Sequence, residues 1–292
     1  MSEFLQFLLS GITTGAIYGL IALGFNVLYN ATDLINFAQG EFVMLGGLGF
    51  YTLGTVVGWP AAAAFAAAVC VVSLLGLLLE RVALRPVKKP DPLTLIIITV
   101  GASIFLRGVA MRLWGKDPYS VAGLAASTEP VRLWGAALMP QSLWIVGIVV
   151  AFMTGLHLFG KRTLTGKAME ACAIHRNAAW ILGIPSDRMV LLAFALSAGL
   201  GAVSGVIIAP ITMCSYDMGT MLGLKGFCAA MLGGLGSHWG AALGGVLLGV
   251  LESLGVGYFS SGIKDAVAFL VLLVILIVRP AGLLGASAVK RF

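Results

Sequence analysis

Apolar and polar positions in this chain are grouped in long blocks rather than alternating residue by residue. Runs of about twenty apolar residues are separated by short polar punctuation. A helix needs ~20 such residues to cross the hydrocarbon core of a bilayer, so this pattern predicts membrane-spanning helices. Spans are expected over 4–29, 35–57, 61–79, 93–113, 143–160, 189–210 and 266–278. The stretch 222–255 is also apolar but dense in glycine. It is too long for one untilted span and short for two. A short or re-entrant half-helix near 222–237, a turn near Ser237–Trp239 and a return helix to about Gly255 fit it best. The fold class expected is all-α: a polytopic membrane protein of about eight spans plus that half-helix.

The pattern changes between residues 161 and 188. This stretch is charged, yet apolar residues recur at helical spacing: Ala168, Ala171, Cys172, Ile174, Ala178, Ala179, Ile181 and Leu182. Thr165 can accept a bond from an orphan N–H and is expected to cap a helix start. Gly183 supplies a left-handed stop and Pro185 bars continuation. One short helix is expected to stand in water between two spans.

Composition agrees with the pattern. Of 292 residues, 60% are hydrophobic and only 10% charged, and the mean hydropathy is +1.03. Ordinary soluble domains are excluded. The net charge of +6 does not call for nucleic acid, because the positive-inside rule accounts for it. Most of the 18 Lys and Arg fall on one side if the C-terminus (Arg279, Lys290, Arg291) is cytoplasmic. That side then holds the 161–188 stretch and the basic loop at 80–92 with Arg81, Arg85, Lys88 and Lys89, broken by Pro86, Pro90 and Pro92. The N-terminus falls outside. Met1–Phe4 carries Glu3 and no basic residue, so the first span is expected to stay rather than be cleaved. Cys70, Cys172, Cys214 and Cys228 show no metal or redox spacing and read as packed thiols.

Polar groups inside spans are costly and usually face a bundle interior or a pathway. Asn36, Gln39 and Glu41 open the second span; a headgroup-wetted helix start is the alternative. With Gly233, Gly234, Ser237 and His238 of the glycine-rich turn, they are candidate pathway or gate positions. Gly11, Gly15 and Gly19 form a ladder on one face of the first span, which predicts close helix packing. The hexapeptide at 44–49 recurs identically at 231–236, as an internal repeat or by chance.

Catalytic chemistry is not evident. Gly155 to Lys161 matches the start of a P-loop, but Arg162 stands where a hydroxyl is needed, at the end of an apolar span. His157, His175 and His238 are far apart and form no ligand cluster. Only Glu41 and Glu252 are expected inside spans, too few for a rich proton relay. The chain can therefore form a pathway without an energy source of its own. Its basic loop is a candidate contact for a separate motor, or an amphipathic segment lying on headgroups.

Four runs resemble one family in order along nearly the whole chain: GITTGAIYGLIALGFNVLYNATDLINFAQGEFVMLGG, TLTGKAMEACAIHRNAAWILGIPSDRMVLLAFALSAGLGAVSGVI, LKGFCAAMLGGLGSHWGAALGGVLLGVLES and VLLVILIVRPAGLLG. They are similar to the permease subunits of LIV-type ABC importers, which take up branched-chain amino acids, amides or urea. The short N-terminus resembles the smaller of the two permeases such systems carry. The resemblance implies a single transmembrane domain over 1–292 with a cytoplasmic coupling loop at 161–188. Implied partners are a second homologous permease, two cytoplasmic ATPase subunits that bind the ATP, an extracytoplasmic substrate-binding protein and the lipid bilayer. The chain itself would need no cofactor and would lie in a bacterial inner membrane. Thr165, Gly166, Ala171, Ala178, Ala179, Gly183 and Ile184 would belong to the coupling element. Ile174 and His175 stand where relatives are often acidic or Asn, which leaves their docking role open. A stand-alone secondary transporter or channel is the competing class.

Overall fold

The computed structural model describes residues 2–87, 91–121, 123, 131–133 and 136–285. Lys88, Lys89, Pro90 and Pro130, and the C-terminal Lys290 and Arg291, lie outside the described residues.

Eleven α-helices are found among the described residues. They are α1 (Ser2–Thr32), α2 (Gln39–Tyr51), α3 (Ala61–Leu79), α4 (Pro92–Trp114), α5 (Pro140–Arg162), α6 (Leu164–Ile174), α7 (Arg176–Ile181), α8 (Ser186–Thr212), α9 (Met218–Gly233), α10 (His238–Tyr258) and α11 (Lys264–Val278). A π-helical segment extends α2 through Thr52–Val56, and another extends α3 through Glu80–Leu84. Six helices are long and apolar enough to cross a membrane: α1, α3 with its extension, α4, α5, α8 and α10. The extended α2 and the 15-residue α11 are shorter helices beside them, roughly consistent with the expected eight spans, and α9 is the short apolar helix expected before the glycine-rich turn. The polar stretch after α4 holds one feature that the apolar pattern did not reveal. Its strands β1 (Val131–Leu133) and β2 (Ala136–Leu138) form a small antiparallel hairpin.

Burial separates an inner from an outer layer. In α1 and α8, 67% and 72% of the most apolar window is buried, against 11% in α4 and α5. Large apolar side chains therefore point outward from α4, α5 and α11, as lipid-facing helices require. The central contact is between α1 and α10, and glycine makes it possible. A Cβ on Gly11 would stand 2.7 Å from Val250 Cα, and one on Gly15 2.6 Å from the Gly245 carbonyl oxygen. Gly245 and Gly249 in turn press on the backbone of α1. The glycine ladder is a packing surface. A second close approach joins α2 to α8, where Gly46 and Gly205 face the backbones of Ala202 and Val43.

An ion cluster fastens the same helices. Lys225 Nζ on α9 lies 2.9 Å from Glu252 Oε1 on α10 and 2.7 Å from Asp265 Oδ1 on α11. Tyr18 of α1 donates to the same Glu252 oxygen at 3.3 Å. Lys225 and Glu252 are 4% and 2% exposed. The sequence pattern could not show this pairing, because residues 225 and 252 meet through tertiary packing alone.

Two outcomes follow from these contacts. Gly249→Val is expected to abolish the folded, monodisperse protein in detergent, as size-exclusion chromatography would show; Gly101→Val, with no atom within 4 Å of its Cβ position, is expected to leave it intact. Lys225→Ala leaves the buried Glu252 with only the half-exposed Lys264, 3.6 Å away, as a cation and is expected to be destabilising, by less than the ~3–5 kcal/mol of a fully unpaired buried charge. In thermal unfolding, the double variant Lys225→Met with Glu252→Leu should melt above that single variant.

Candidate functional site

The loop between α5 and α8 is two short helices, not one. The helix start is capped by Thr163 rather than Thr165. Thr163 has an extended backbone, and its Oγ1 accepts from the Gly166 N–H at 2.9 Å. The same hydroxyl donates to the Phe159 carbonyl at 2.7 Å, so one side chain closes α5 and opens α6. Thr165 already lies within the first turn. The helix then breaks at His175, which is extended at φ −154°. In a continuous helix the Ala178 N–H would bond to the Ile174 carbonyl. Here it donates to His175 Nδ1 at 3.3 Å instead, and His175 caps α7. A side-chain acceptor that competes with the backbone ends helices in this way.

The expected stop is present. Gly183 has φ +83°. Its N–H bonds to the Trp180 carbonyl, and the Ile184 N–H bonds to the Ala179 carbonyl, each at 3.0 Å. These two bonds form the Schellman pattern, which needs a residue that tolerates a left-handed backbone. Pro185 precedes α8 directly.

The two faces of this element differ. Its inner face is a small apolar core of Cys172, Ala179 and Met189, against which Ala168, Met169 and Ile184 pack. Gly166 is buried, and a Cβ there would stand 2.7 Å from Gly160 Cα of α5. Ala171 is half-buried. The outer face carries Ile174, His175 and Ala178. It also carries Leu164, Trp180, Ile181 and Leu182, which are between 72% and 87% exposed. The sequence reading counted Ile181 and Leu182 among the helically spaced apolar positions and did not single out Leu164 or Trp180. One signal was available: three consecutive apolar residues, 180–182, cannot all share one face of a helix.

The polar residues that open α2 are placed differently from one another. Asn36 Oδ1 accepts from the Ala38 N–H at 3.0 Å and shapes the approach to α2. Gln39 is fully buried and locked to α8: its Nε2 donates to the Ser197 carbonyl at 2.9 Å, and Ser197 Oγ donates to its Oε1 at 2.7 Å. Glu41 lines a cavity of about 250 Å³ among α1, α2, α4 and α9. Ser103 of α4 donates to Glu41 Oε1 at 2.9 Å. Arg107, one turn further along α4, donates to Thr220 Oγ1 at 2.8 Å and lines the same cavity. Sequence flagged Glu41 but not Ser103, Arg107 or Thr220 as its companions; Arg107 alone, a cation within a span, carried a visible signal.

The other gate candidates lie elsewhere, at the turn between α9 and α10. Asn26 and Asn30 of α1 donate to the Ser237 and Gly236 carbonyls at 2.8 and 2.9 Å. Ser237 Oγ caps α10 by accepting from the Gly240 N–H at 3.0 Å. The Leu284 N–H bonds to the Gly233 carbonyl at 2.9 Å. Gly233, Gly234 and Ser237 therefore tie the turn to α1 and to the segment after α11. His238 begins α10, next to Trp239, whose ring stands 5.7 Å edge-on from that of His157. Gly155 to Lys161 is helical throughout within α5 and forms no phosphate-binding loop.

Comparison with known proteins decides the family. Residues 7–276 match the family model described as the branched-chain amino acid transport system / permease component. The chain belongs to this permease family. It is 35% identical to the high-affinity branched-chain amino acid transport permease LivH of Escherichia coli K12, over 99% of this chain and 97% of that one. The corresponding permease BraD of Pseudomonas aeruginosa is 36% identical, over 99% and 98%. The autoinducer 2 import permease LsrC of Escherichia coli is 26% identical, over 91% and 70%. Among solved structures, PsaBC from Streptococcus pneumoniae in complex with Fab covers 96% of this chain and 93% of its own, with a TM-score of 0.51 at 14% identity, and so shares the fold. This permease is a multi-pass inner-membrane subunit of an ABC importer, a transport component rather than an enzyme. Its family works with ATPase and binding-protein partners.

Thr163→Ala removes the shared cap of α5 and α6. A lost cap costs about 1 kcal/mol, so amide exchange in the first turn of α6 is expected to quicken about fivefold, while α1 and α10 keep their protection.

Proposed function

We propose that this permease pairs with a second, homologous permease and two cytoplasmic ATPase subunits to import branched-chain amino acids, or a related small polar solute, delivered by an extracytoplasmic binding protein. The whole chain acts as one transmembrane domain. ATP is bound by the partner subunits, and the C-terminus is cytoplasmic. The observation that carries the reading is the α6–α7 element: two short capped helices with a buried inner face and a cluster of exposed large apolar side chains. Such a cluster marks a surface that another protein covers. Gly166, Ala171, Ala179, Gly183 and Ile184 give the element its shape, while Ile174, His175, Ala178, Trp180 and Leu182 present the docking surface. Thr165 lies within its first turn.

The near-full-length identity to LivH and BraD supports the substrate class. The orientation has support of its own. Arg85 at the end of α3 pairs with Asp187 at the start of α8 at 3.9 Å, which brings the two basic loops to one face, as the positive-inside rule expects of the cytoplasmic side. The pathway runs beside α2 and α4, past Glu41, with Asn36 and Gln39 holding the start of α2 in place. The turn at Gly233, Gly234, Ser237 and His238 closes the cytoplasmic end of the bundle.

Reconstitution tests this directly. Leucine uptake into proteoliposomes is expected only when the ATPase subunits, the second permease, the binding protein and ATP are all supplied. Trp180→Ala with Leu182→Ala, or Ala178→Asp alone, should lower ATP-driven uptake at least tenfold while the permease still inserts and folds. Gradient-driven uptake by this chain alone would establish the secondary-carrier reading instead.

A further inference from the structure

We propose that the cavity beside α4 is a binding subsite for a zwitterionic amino acid with an apolar side chain, in which Glu41 receives the ammonium, Arg107 the carboxylate and a phenylalanine cluster the side chain. The proposal rests on the amino-acid import reading above and assigns it a place in this chain.

Three features support it. The first is a carboxylate with spare capacity. Glu41 is 1% exposed and lines the cavity. Its Oε1 accepts from Ser103, but Oε2 has no hydrogen-bond partner among the described residues. An orphaned buried acceptor costs free energy unless a donor reaches it, and an ammonium supplies three N–H groups.

The second is an opposite charge at a fixed offset. Ser103 and Arg107 are four residues apart on α4 and share one face, about 6 Å apart along the axis. Ser103 holds Glu41, and Glu41 and Arg107 both line the cavity. Among the described residues, no ion pair joins Arg107 to Glu41. Thr220 occupies one of the guanidinium's five N–H donors. A lone anion or a lone cation would leave one of the two charges without a counterion in a low-dielectric site, which is strongly unfavourable. A zwitterion satisfies both.

The third is an apolar wall at the right scale and depth. Phe25, Phe37 and Phe227 line the cavity, with Phe227 at 5.9 Å from each of the other two ring centres. The volume of about 250 Å³ lies just below the roughly 300–1,000 Å³ of drug-sized pockets and suits a small metabolite. Ser103 stands at the middle of α4, so the charged groups sit near mid-membrane, where ionisable side chains mark solute paths.

The test uses the assembled permease–ATPase complex in lipid nanodiscs without binding protein. Radiolabelled leucine is competed with leucine, with leucinamide (no carboxylate) and with 4-methylpentanoate (no ammonium). Both truncated analogues are expected to compete at least tenfold more weakly than leucine. Arg107→Gln should erase the discrimination against leucinamide and keep that against 4-methylpentanoate. Glu41→Gln should do the reverse. Equal competition by all three compounds in the wild type, or no leucine binding up to millimolar concentration, overturns the proposal without needing any folded variant. Variants that weaken all three ligands alike overturn it too. ATP-driven leucine uptake by the same complex, moved to proteoliposomes and supplied with binding protein, keeps the two readings apart: uptake without discrimination in the binding assay sinks only the subsite, whereas absence of uptake with every component present sinks the import reading itself.

Discussion

The contact on which the bundle depends is the backbone-to-backbone packing of α1 against α10 across Gly11, Gly15, Gly245 and Gly249. Lipid tails are as apolar as leucine, so helices in a bilayer gain little by hiding apolar side chains from one another. They gain by approaching closely, and glycine allows the closest approach. Once α1 and α10 touch, other contacts come into register. Tyr18 reaches Glu252 in the middle of the interface, and Asn26 and Asn30 reach the carbonyls of the α9–α10 turn at its end. The Lys225 cluster then binds α9 and α11 to the same pair. A side chain at any of the four glycines would therefore disturb hydrogen bonds many residues away.

Within that frame, the buried polar groups divide into two kinds. Gln39 is satisfied on both sides by Ser197 and holds α2 against α8. Glu41, two residues later, is satisfied on one oxygen only and faces a cavity. The helical turn explains the contrast: successive polar residues point to different sides, one into the packed α2–α8 seam and the other toward α4.

The α6–α7 element is joined firmly to both of its neighbours. Thr163 and Gly166 join it to α5, and the Cys172–Ala179–Met189 core joins it to α8. The α8 helix packs on α1, α2 and α3 and carries Ser197, which holds Gln39. Under the function proposed, a push on the exposed face of α6–α7 moves α8, and with it the base of α2 near Glu41. Short capped helices suit that role because their ends do not fray.

The sequence by itself determined which stretches lie in lipid, the close-packing role of the Gly11–Gly19 ladder, the stop at Gly183 and the family. Each of these is written locally, in run length, residue size or backbone freedom. It did not determine which residues meet. The hexapeptide at 44–49 lies inside α2, whereas its identical copy at 231–236 ends α9 and turns, with Gly234 and Gly236 at positive φ. The same six residues take two conformations because α2 continues along α8 while the second copy is held by Asn26, Asn30 and the segment after α11. Likewise His175 reads as one more position in a helix until its ring takes the Ala178 N–H. Lys225 with Glu252, and Glu41 with Ser103 near Arg107, join residues tens of positions apart. Tertiary structure decided these pairings, because in a bilayer a polar group finds its partner through helix packing and not through the local chain.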